Sequence, residues 1–333
     1  MRIGVTYDLR SDYLAQGFGE EETAEFDSEI TIAAICAALD SLGHEPVRIG
    51  GIRQLTAQLV AGARWDAVFN ICEGLKGFAR EAQVPALLEA YDVPYVFSDP
   101  LTLALALDKA MAKRVVRSCG VPTPEFAVIG HIGDATDIPL DFPLFLKPVA
   151  EGSGKGVNAM SRVSDWAALH RVAQDLLLRF RQPVLAETYL PGREFTVGIA
   201  GTAEDAAVLG VLEIVASGNA TAHGYGYENK EHFEDKIVYR LAEDSAADEA
   251  AAVALRAWRA LRCRDGGRVD IRYGDDGKAY FLEVNPLAGL NPERSDLVFI
   301  ARFKGLAYCD LIDRFLHSFL RRHPELQSRS TTR

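Results

Sequence analysis

Arg268-Val269-Asp270 and, after ten intervening residues, Phe281-Leu282-Glu283-Val284-Asn285-Pro286 carry the side chains best suited to chemistry. The first run sets a cation and a carboxylate two residues apart. The second sets a carboxylate and an amide two apart. Residues two apart in a strand share a face, so a hairpin of these runs would gather all four groups on one side. Hard divalent cations take oxygen donors, and Mg²⁺ is commonly held by one or two carboxylates together with nucleotide phosphates. A neighbouring Arg suits the charge that develops in phosphoryl transfer. The chemistry indicated is metal-assisted handling of a phosphate ester, ATP above all.

Other residues could serve the same chemistry. Glu151-Gly152-Ser153-Gly154-Lys155-Gly156 has three glycines in five positions, which lets backbone N–H groups turn toward phosphate. It is equally readable as a plain hairpin turn. It is not a Walker A loop, because Gly156 follows Lys155 where that motif needs Ser or Thr. With a strand expected on each side, it would act as a flexible flap. Lys147 ends an apolar strand between Leu146 and Pro148, so it either snorkels or meets a phosphate. Lys109 opens a helix and, taken alone, reads as a surface residue. Glu187 and Glu194, ending one strand and starting the next, could share a pocket with a nucleotide's sugar and base.

The elements that must position these groups can be read from periodicity. Ile3–Tyr7, Pro46–Ile49 and Ala67–Ile71 read as strands, with Pro94–Val96 after them. Helices are expected at Glu29–Leu42, Gln54–Ala61 and Ala82–Tyr91. Such βαβ alternation implies a parallel sheet. No G-x-G-x-x-G follows the first strand, which argues against a classical dinucleotide site. Leu101–Cys119 is expected as one helix stopping at Gly120. Phe142–Val149 and Val157–Ser161 are expected as strands around the flap, and Ser164 as the cap of a helix reaching Phe180. Val184–Tyr189, Glu194–Gly201 and Val208–Ile214 read as strands of one larger antiparallel sheet. Residues 217–235 read as a mobile loop and a candidate lid. A helix at Ala247–Arg262, the hairpin Arg268–Tyr273 with Ala279–Val284, and helices near Leu297–Gly305 and Tyr308–Arg322 complete the pass. The tail from Pro324 is expected to fray.

At 333 residues, two or three domains are expected. The net charge of −11 argues against a nucleic-acid surface and fits solubility. The five cysteines, Cys36, Cys72, Cys119, Cys263 and Cys309, show no zinc-like spacing, so a reducing compartment without disulfides is expected. No signal peptide and no run of transmembrane length is read, and a cytoplasmic enzyme is the expected class.

Taken in order, these segments resemble the ATP-grasp superfamily of carboxylate–amine ligases, and within it the D-alanine–D-alanine ligases. The resemblance spans nearly the whole chain. It rests on Leu107-Asp108-Lys109, on Phe145 to Ser153, on Glu187 to Val197, on Ala257 to Asp270 and on Phe281 to Leu290. It implies an N-terminal parallel-sheet α/β domain followed by a two-part α+β ATP-grasp fold. The division expected is 1–100, 101–183 and 184–325, with a tail at 326–333. Lys109 and Lys147 would contact the ATP phosphates, under a flap formed by residues 151–156, of which Glu151, Gly152, Ser153 and Gly154 would bind the nucleotide. Glu187, Thr188 and Leu190 would line the adenine site, and Glu194 would bind the ribose. Asp270, Glu283 and Asn285 would hold two Mg²⁺, with Mn²⁺ as a substitute. Arg268 and the Gly289 N–H would form an oxyanion site, with Ser153 beside the reacting groups and Lys230 arriving when the lid closes. A substrate carboxylate would become an acylphosphate and be captured by an amine. The partners implied are small amino-acid or amine substrates, without nucleic acid or membrane, and a homodimer is an option.

The departures from the family lie where amino acids would bind. Gly154 and Lys155 replace a Ser and a Val of the usual flap, and Glu231 follows Lys230 where a Tyr is common. Cys72-Glu73-Gly74 stands in place of an early His-Gly. Arg294, beside Ser295, falls near a substrate-binding Ser. Glu22, Glu25 and Asp27 compete as the carboxylate for a substrate ammonium. Arg80 and Glu81 read either as recognising a charged substrate or as a salt-bridged helix start. Two explanations stay open: an unchanged D-alanyl-D-alanine activity, or altered amino-acid specificity. A non-catalytic nucleotide-binding protein is a third option, opposed by the intact Asp270, Glu283 and Asn285.

Overall fold

The computed structural model describes residues 1–216 and 237–330. Its first sheet is parallel, with strands β1 (Arg2–Tyr7), β2 (Glu45–Gly50), β3 (Ala67–Ile71) and β4 (Tyr95–Val96) in the order β2-β1-β3-β4. The helices Glu29–Ser41, Ile52–Val60 and Gln83–Ala90 follow the first three strands. Every residue of β3 is buried, as expected for a parallel strand covered on both faces.

The second sheet is antiparallel and contains β5 (Phe126–Ile129), β6 (Leu144–Pro148), β7 (Arg162–Val163) and β8 (Val184–Thr188), ordered β5-β8-β6-β7. The helix Trp166–Phe180 covers it through Leu169, Val172, Ala173 and Leu176. The third sheet, also antiparallel, contains β9 (Glu194–Ala200), β10 (Ala207–Ala216), β11 (Ile237–Leu241), β12 (Gly266–Tyr273) and β13 (Ala279–Asn285), ordered β11-β10-β9-β12-β13. The helix Ser245–Ala260 lays Ala250, Ala254, Ala257 and Trp258 against it. The architecture is the expected α/β and α+β combination.

Several elements differ from the sequence expectation. The single helix Leu101–Cys119 is two, Pro100–Leu107 and Lys109–Ser118. Asp108 breaks it, since its extended backbone and its carboxylate, accepting from the Met111 N–H at 2.9 Å, cap the second helix. The strand expected at Val157–Ser161 is absent. A 3-10 turn, Ala159–Ser161, stands there, capped by Asn158, and only β7 follows. Asp165 rather than Ser164 caps the next helix, accepting from Ala168 N–H at 2.8 Å. β8 belongs to the second sheet, not to the larger one. The expected frayed tail carries a helix, Pro324–Ser330, with Pro at a position that needs no N–H and Leu326 buried. The expected lid at 217–235 lies outside the described residues.

The N-terminal sheet is not an independent lobe. Phe69 and Phe97 pack with Phe315 and Phe319 of the helix Tyr308–Arg322, with ring centroids of Phe97 and Phe315 5.5 Å apart. Buried Asp265, just before β12, accepts from the Phe97 N–H at 2.8 Å and from Ser318 Oγ at 2.9 Å, and pairs with Arg322. That carboxylate ties the end of β4 to the base of the β12–β13 hairpin. The chemistry-bearing hairpin is thereby set against the N-terminal wall.

Candidate active site

β12 and β13 pair in the register Arg268↔Asn285 and Asp270↔Glu283. All four polar side chains therefore start from one face of the hairpin. β9 extends the row on the other side, with Glu194 opposite Arg272 and Thr196 opposite Asp270. A register shift beyond Asp270 pairs Ile271 with Phe281 and skips Leu282. Such bulges re-aim side chains, and Leu282 lines the cleft beside Leu190. Arg268 Nη1 lies 2.7 Å from Asp270 Oδ1 and 3.4 Å from Asp296 Oδ2. The Asn285 amide donates to Asp270 Oδ2 at 3.3 Å. Two carboxylates and one amide oxygen are a donor set suited to Mg²⁺ shared with phosphate. Among the described residues no cluster of three or more His, Cys, Asp or Glu exists that could hold a metal alone.

Across the cleft stand lysines. Lys147 Nζ and Lys113 Nζ each lie 2.8 Å from a Glu187 oxygen. Lys113 is fully buried and also donates to Thr123 Oγ1 at 3.1 Å and the Phe281 carbonyl at 3.3 Å. One carboxylate thus serves two ammonium groups. Burial pushes Lys113 down to about 8, and the like charge of Lys147 pushes the same way against Glu187. Burial works against Lys147 and Glu187 too, but their ion pairing outweighs it, holding the lysine above and the carboxyl below their ordinary values. The trio carries a net positive charge at a wall that would meet an anion. Lys109 donates to the Glu151 carbonyl and lies 3.5 Å from Glu283 Oε2.

Three cavities run along this face. One of ≈ 90 Å³ is lined by Lys109, Lys147, Glu187, Leu190, Glu194 and Asp270, with Glu151, Gly154, Thr188 and Glu283 also on its wall. A second, ≈ 120 Å³, shares Lys109, Glu151 and Glu283 and adds Gly152, Ser153, Arg268, Asn285 and Gly289 with Glu25, Glu73 and Glu81. A third, ≈ 230 Å³, shares Glu25, Ser153, Arg268 and Gly289 and adds Asp27, Asn291, Arg294 and Ser295. Glu25, Ser153, Arg268 and Gly289 are the common wall of the second and third. The Gly289 N–H has no acceptor among the described residues. An N–H and a guanidinium at the boundary of two cavities can stabilise negative charge developing between two ligands.

Residues 151–155 of the flap line the first two cavities. Ser153, Gly154 and Gly156 have φ of 50°, 70° and 75°, which explains the density of glycine. Glu25 locks it in place, because its carboxylate accepts from the Gly152 N–H at 2.5 Å and pairs with Lys155 at 3.0 Å and Arg80 at 2.9 Å. A Cβ on residue 152 would fall 2.3 Å from Glu25 Oε1, so only glycine permits this approach. Burial would raise the Glu25 carboxyl, but Arg80 and Lys155 hold it below its ordinary value.

Most residues singled out from the sequence meet in these cavities. Arg80 does not. It is buried against Glu25 and the Ala150 carbonyl at the start of the turn Arg80–Ala82, an ion-paired position whose partner among the described residues is Glu25 rather than Glu81. Glu22 is exposed and accepts from Gly19 N–H. Lys230 lies outside the described residues. Sequence reading missed Lys113, although its four-residue spacing from Lys109 puts both on one helix face. It also missed Lys155 as the partner of Glu25 and Arg272 as that of Glu194, 3.0 Å away. Glu73 sits in a segment whose departure from the family the sequence shows, but a cavity whose other residues come from as far along the chain as Gly289 leaves no local signal.

Glu81 gives a pH prediction. Burial raises its carboxyl to about 7, with Glu25 adding to the effect and Arg80, Lys109 and Lys155 opposing it. Between its ordinary value of 4.5 and about 7, the folded protein keeps a proton that the unfolded chain has released. Stability then falls as pH rises through that window, and the penalty is complete above it. Glu81→Gln should melt a few degrees higher than the parent at pH 8 and near it at pH 4.5. Equal offsets at both pH values in a calorimetric series would contradict this assignment.

A family model described as the C-terminus of D-ala D-ala ligase matches residues 115–317. The D-alanine–D-alanine ligase of Bordetella pertussis is 38% identical over 257 residues, covering 76% of this chain and 78% of that protein. That of Bordetella avium is 34% identical over 317 residues, covering 93% and 92%. The crystal structure of D-alanine–D-alanine ligase from Bacillus anthracis complexed with ATP superposes with a TM-score of 0.73 at 23% identity, covering 98% of this chain and 99% of that one. With the matched model spanning more than half its length and relatives of this identity along most of it, the chain belongs to the D-alanine–D-alanine ligase family of ATP-dependent, ATP-grasp ligases.

Proposed function

We propose that the protein joins two amino acids through an acylphosphate, with an amino-acid specificity altered from that of its D-alanine-joining relatives. The observation that carries the reading is the order of the three cavities, with Arg268 and the Gly289 N–H at the boundary of the second and third. ATP would lie in the first, its base near Thr188 and Leu190, its ribose at Glu194 and its phosphates toward Lys147 and Lys109. The division between the two ATP-grasp halves would fall after β8, with residues 1–100 supplying the substrate wall.

Asp270, Glu283 and Asn285 would hold Mg²⁺, which would supply Lewis-acid stabilisation of phosphate charge. A carboxylate oxygen of the first substrate would attack the γ-phosphorus as the bond to the bridging oxygen breaks, releasing ADP. Lys109, Lys147 and the flap N–H groups would offset the moving charge. The amine nitrogen of the second substrate would then attack the carbonyl carbon. Arg268 and Gly289 N–H would hold the resulting oxyanion until the carbon–oxygen bond to phosphate breaks and the nitrogen loses its proton. A closed flap would exclude water that would hydrolyse the acylphosphate. Lys230 would complete the enclosure.

Charged side chains support altered specificity. Glu73 and Glu81 line the second cavity, and Asp27 and Arg294 line the third. Hydrogen-bonding groups in a pocket discriminate far more strongly than apolar drift does. The identity to D-alanine–D-alanine ligases favours the plainer alternative, unchanged substrates. Incubation with ATP, Mg²⁺ and amino acids in pairs, followed by phosphate release and product mass, separates the two. Absence of amino-acid-stimulated phosphate release across a broad panel would refute both.

A further inference from the structure

We propose that Glu73 and Glu81 recognise a basic side chain, so that the first substrate, whose carboxylate is activated, is a diamino or guanidino acid. This deepens the ligase reading above and rests on it. The charges around the second cavity are paired except at one place. Glu25 is held by Arg80, Lys155 and the Gly152 N–H. Glu283 faces Lys109, and Arg268 faces Asp270 and Asp296. Glu73 and Glu81, from the segment after β3 and the turn Arg80–Ala82, have neither an ion pair nor a hydrogen-bond donor among the described side chains.

The cavity they line also holds Arg268 and the Gly289 N–H, where a substrate carboxylate would sit. Two further carboxylates therefore face the remainder of the same molecule. An α-ammonium balances one of them. A neutral amino acid leaves the second uncompensated, whereas a side-chain ammonium or guanidinium pairs with it. Arg80 does not fill that role, since its guanidinium is turned into Glu25 and the Ala150 carbonyl. Burial first, and then neighbouring carboxylates including Glu25, raise both carboxyls, while Arg80 opposes the rise without pairing with either. Glu25, one of three carboxylates that compete for the ammonium in the sequence, is already engaged by Gly152 N–H, Arg80 and Lys155, which leaves Glu73 and Glu81 facing the second cavity.

The test offers the protein ATP and Mg²⁺ with D and L forms of alanine, serine, glutamate, 2,3-diaminopropionate, ornithine, lysine and arginine, in pairs. ADP formation and product fragmentation are read together. The expected result is a basic residue at the amino-terminal position of the product, with kcat/KM at least about tenfold above that for alanine, the range of one charged hydrogen bond. Glu73→Gln and Glu81→Gln should each erase about tenfold of that preference, while melting no lower than the parent at pH 8. Alanine or another neutral acid as the preferred amino-terminal residue overturns the inference and leaves the ligase reading standing. Variants that slow basic and neutral acids alike also overturn it. No stimulation by any acid removes both.

Discussion

Replacing Glu283 by Gln should lower amino-acid-dependent ADP formation by about a thousandfold, because a metal ligand at transferring phosphate is worth several kcal/mol and each tenfold is about 1.4 kcal/mol. The fold should be indifferent. Glu283 is half-buried and lies 3.5 Å from Lys109, and Gln keeps the side chain's size and an oxygen to face that lysine. The melting temperature should stay within about 2 °C of the parent, the scale of a sub-kcal change. Asp270→Asn should be as inactive, but less stable, since Asp270 lies buried against Arg268. Activity within tenfold of the parent for Glu283→Gln, at saturating Mg²⁺, would remove β13 from the metal site.

Gly267→Ala should damage both stability and activity from a position that touches no substrate. A Cβ there would sit 2.5 Å from the Asn285 carbonyl oxygen and 2.8 Å from the Trp258 ring. Neither neighbour can give easily: one is the backbone of β13, the other a fully buried indole. Overpacking of this kind costs about 1–3 kcal/mol, so the melting temperature should drop by several degrees. The cheaper relaxation moves β13 away from β12 and carries Asn285 with it. A displacement of about 1 Å near reacting groups costs on the order of a hundredfold in rate. Soluble, folded Gly267→Ala with full turnover would show that the β12–β13 spacing does not set the chemistry. Gly198→Ala is the control, because the nearest atoms to its Cβ would be flexible side-chain ends of Ile300 and Leu297, at 3.1 Å, rather than backbone.

Much of the site was legible because its residues come in strand pairs. Arg268 with Asp270, and Glu283 with Asn285, each share a face by period two, and a hairpin was the short-range solution. The structure supplies that register. The flap was legible from glycine density, and its three left-handed residues explain why. What the sequence hid was of two kinds. Local hydrogen bonding by Asp108 and Asp165 overrode the periodic pattern and moved helix boundaries by one residue or split a helix. Long-range pairing assigned β8 to another sheet and brought Lys113 onto Glu187 and Arg80 onto Glu25. Nothing in the order of residues records which of several acidic positions a distant flap will take.

The Arg80–Glu25–Lys155 cluster changes how the substrate wall should be understood. In sequence Arg80 and Glu25 were separate candidates for substrate contact. In the structure they pair with each other, and Glu25 also holds the Gly152 N–H, so the proposed specificity rests on the remaining carboxylates, Glu73 and Glu81. Glu81→Gln probes this from two sides, since it should gain stability at alkaline pH while losing preference for basic substrates. A residue that weakens the fold but improves recognition is common at binding sites.

The acylphosphate is the central claim, and oxygen transfer tests it most directly. The amino acid found at the amino-terminal position of the product is labelled with ¹⁸O in its carboxylate and turned over with unlabelled ATP. Inorganic phosphate is then examined by mass. Attack of the carboxylate on the γ-phosphorus predicts one ¹⁸O in each phosphate released with product. Phosphate carrying no label, with product formed at the same rate, would contradict it.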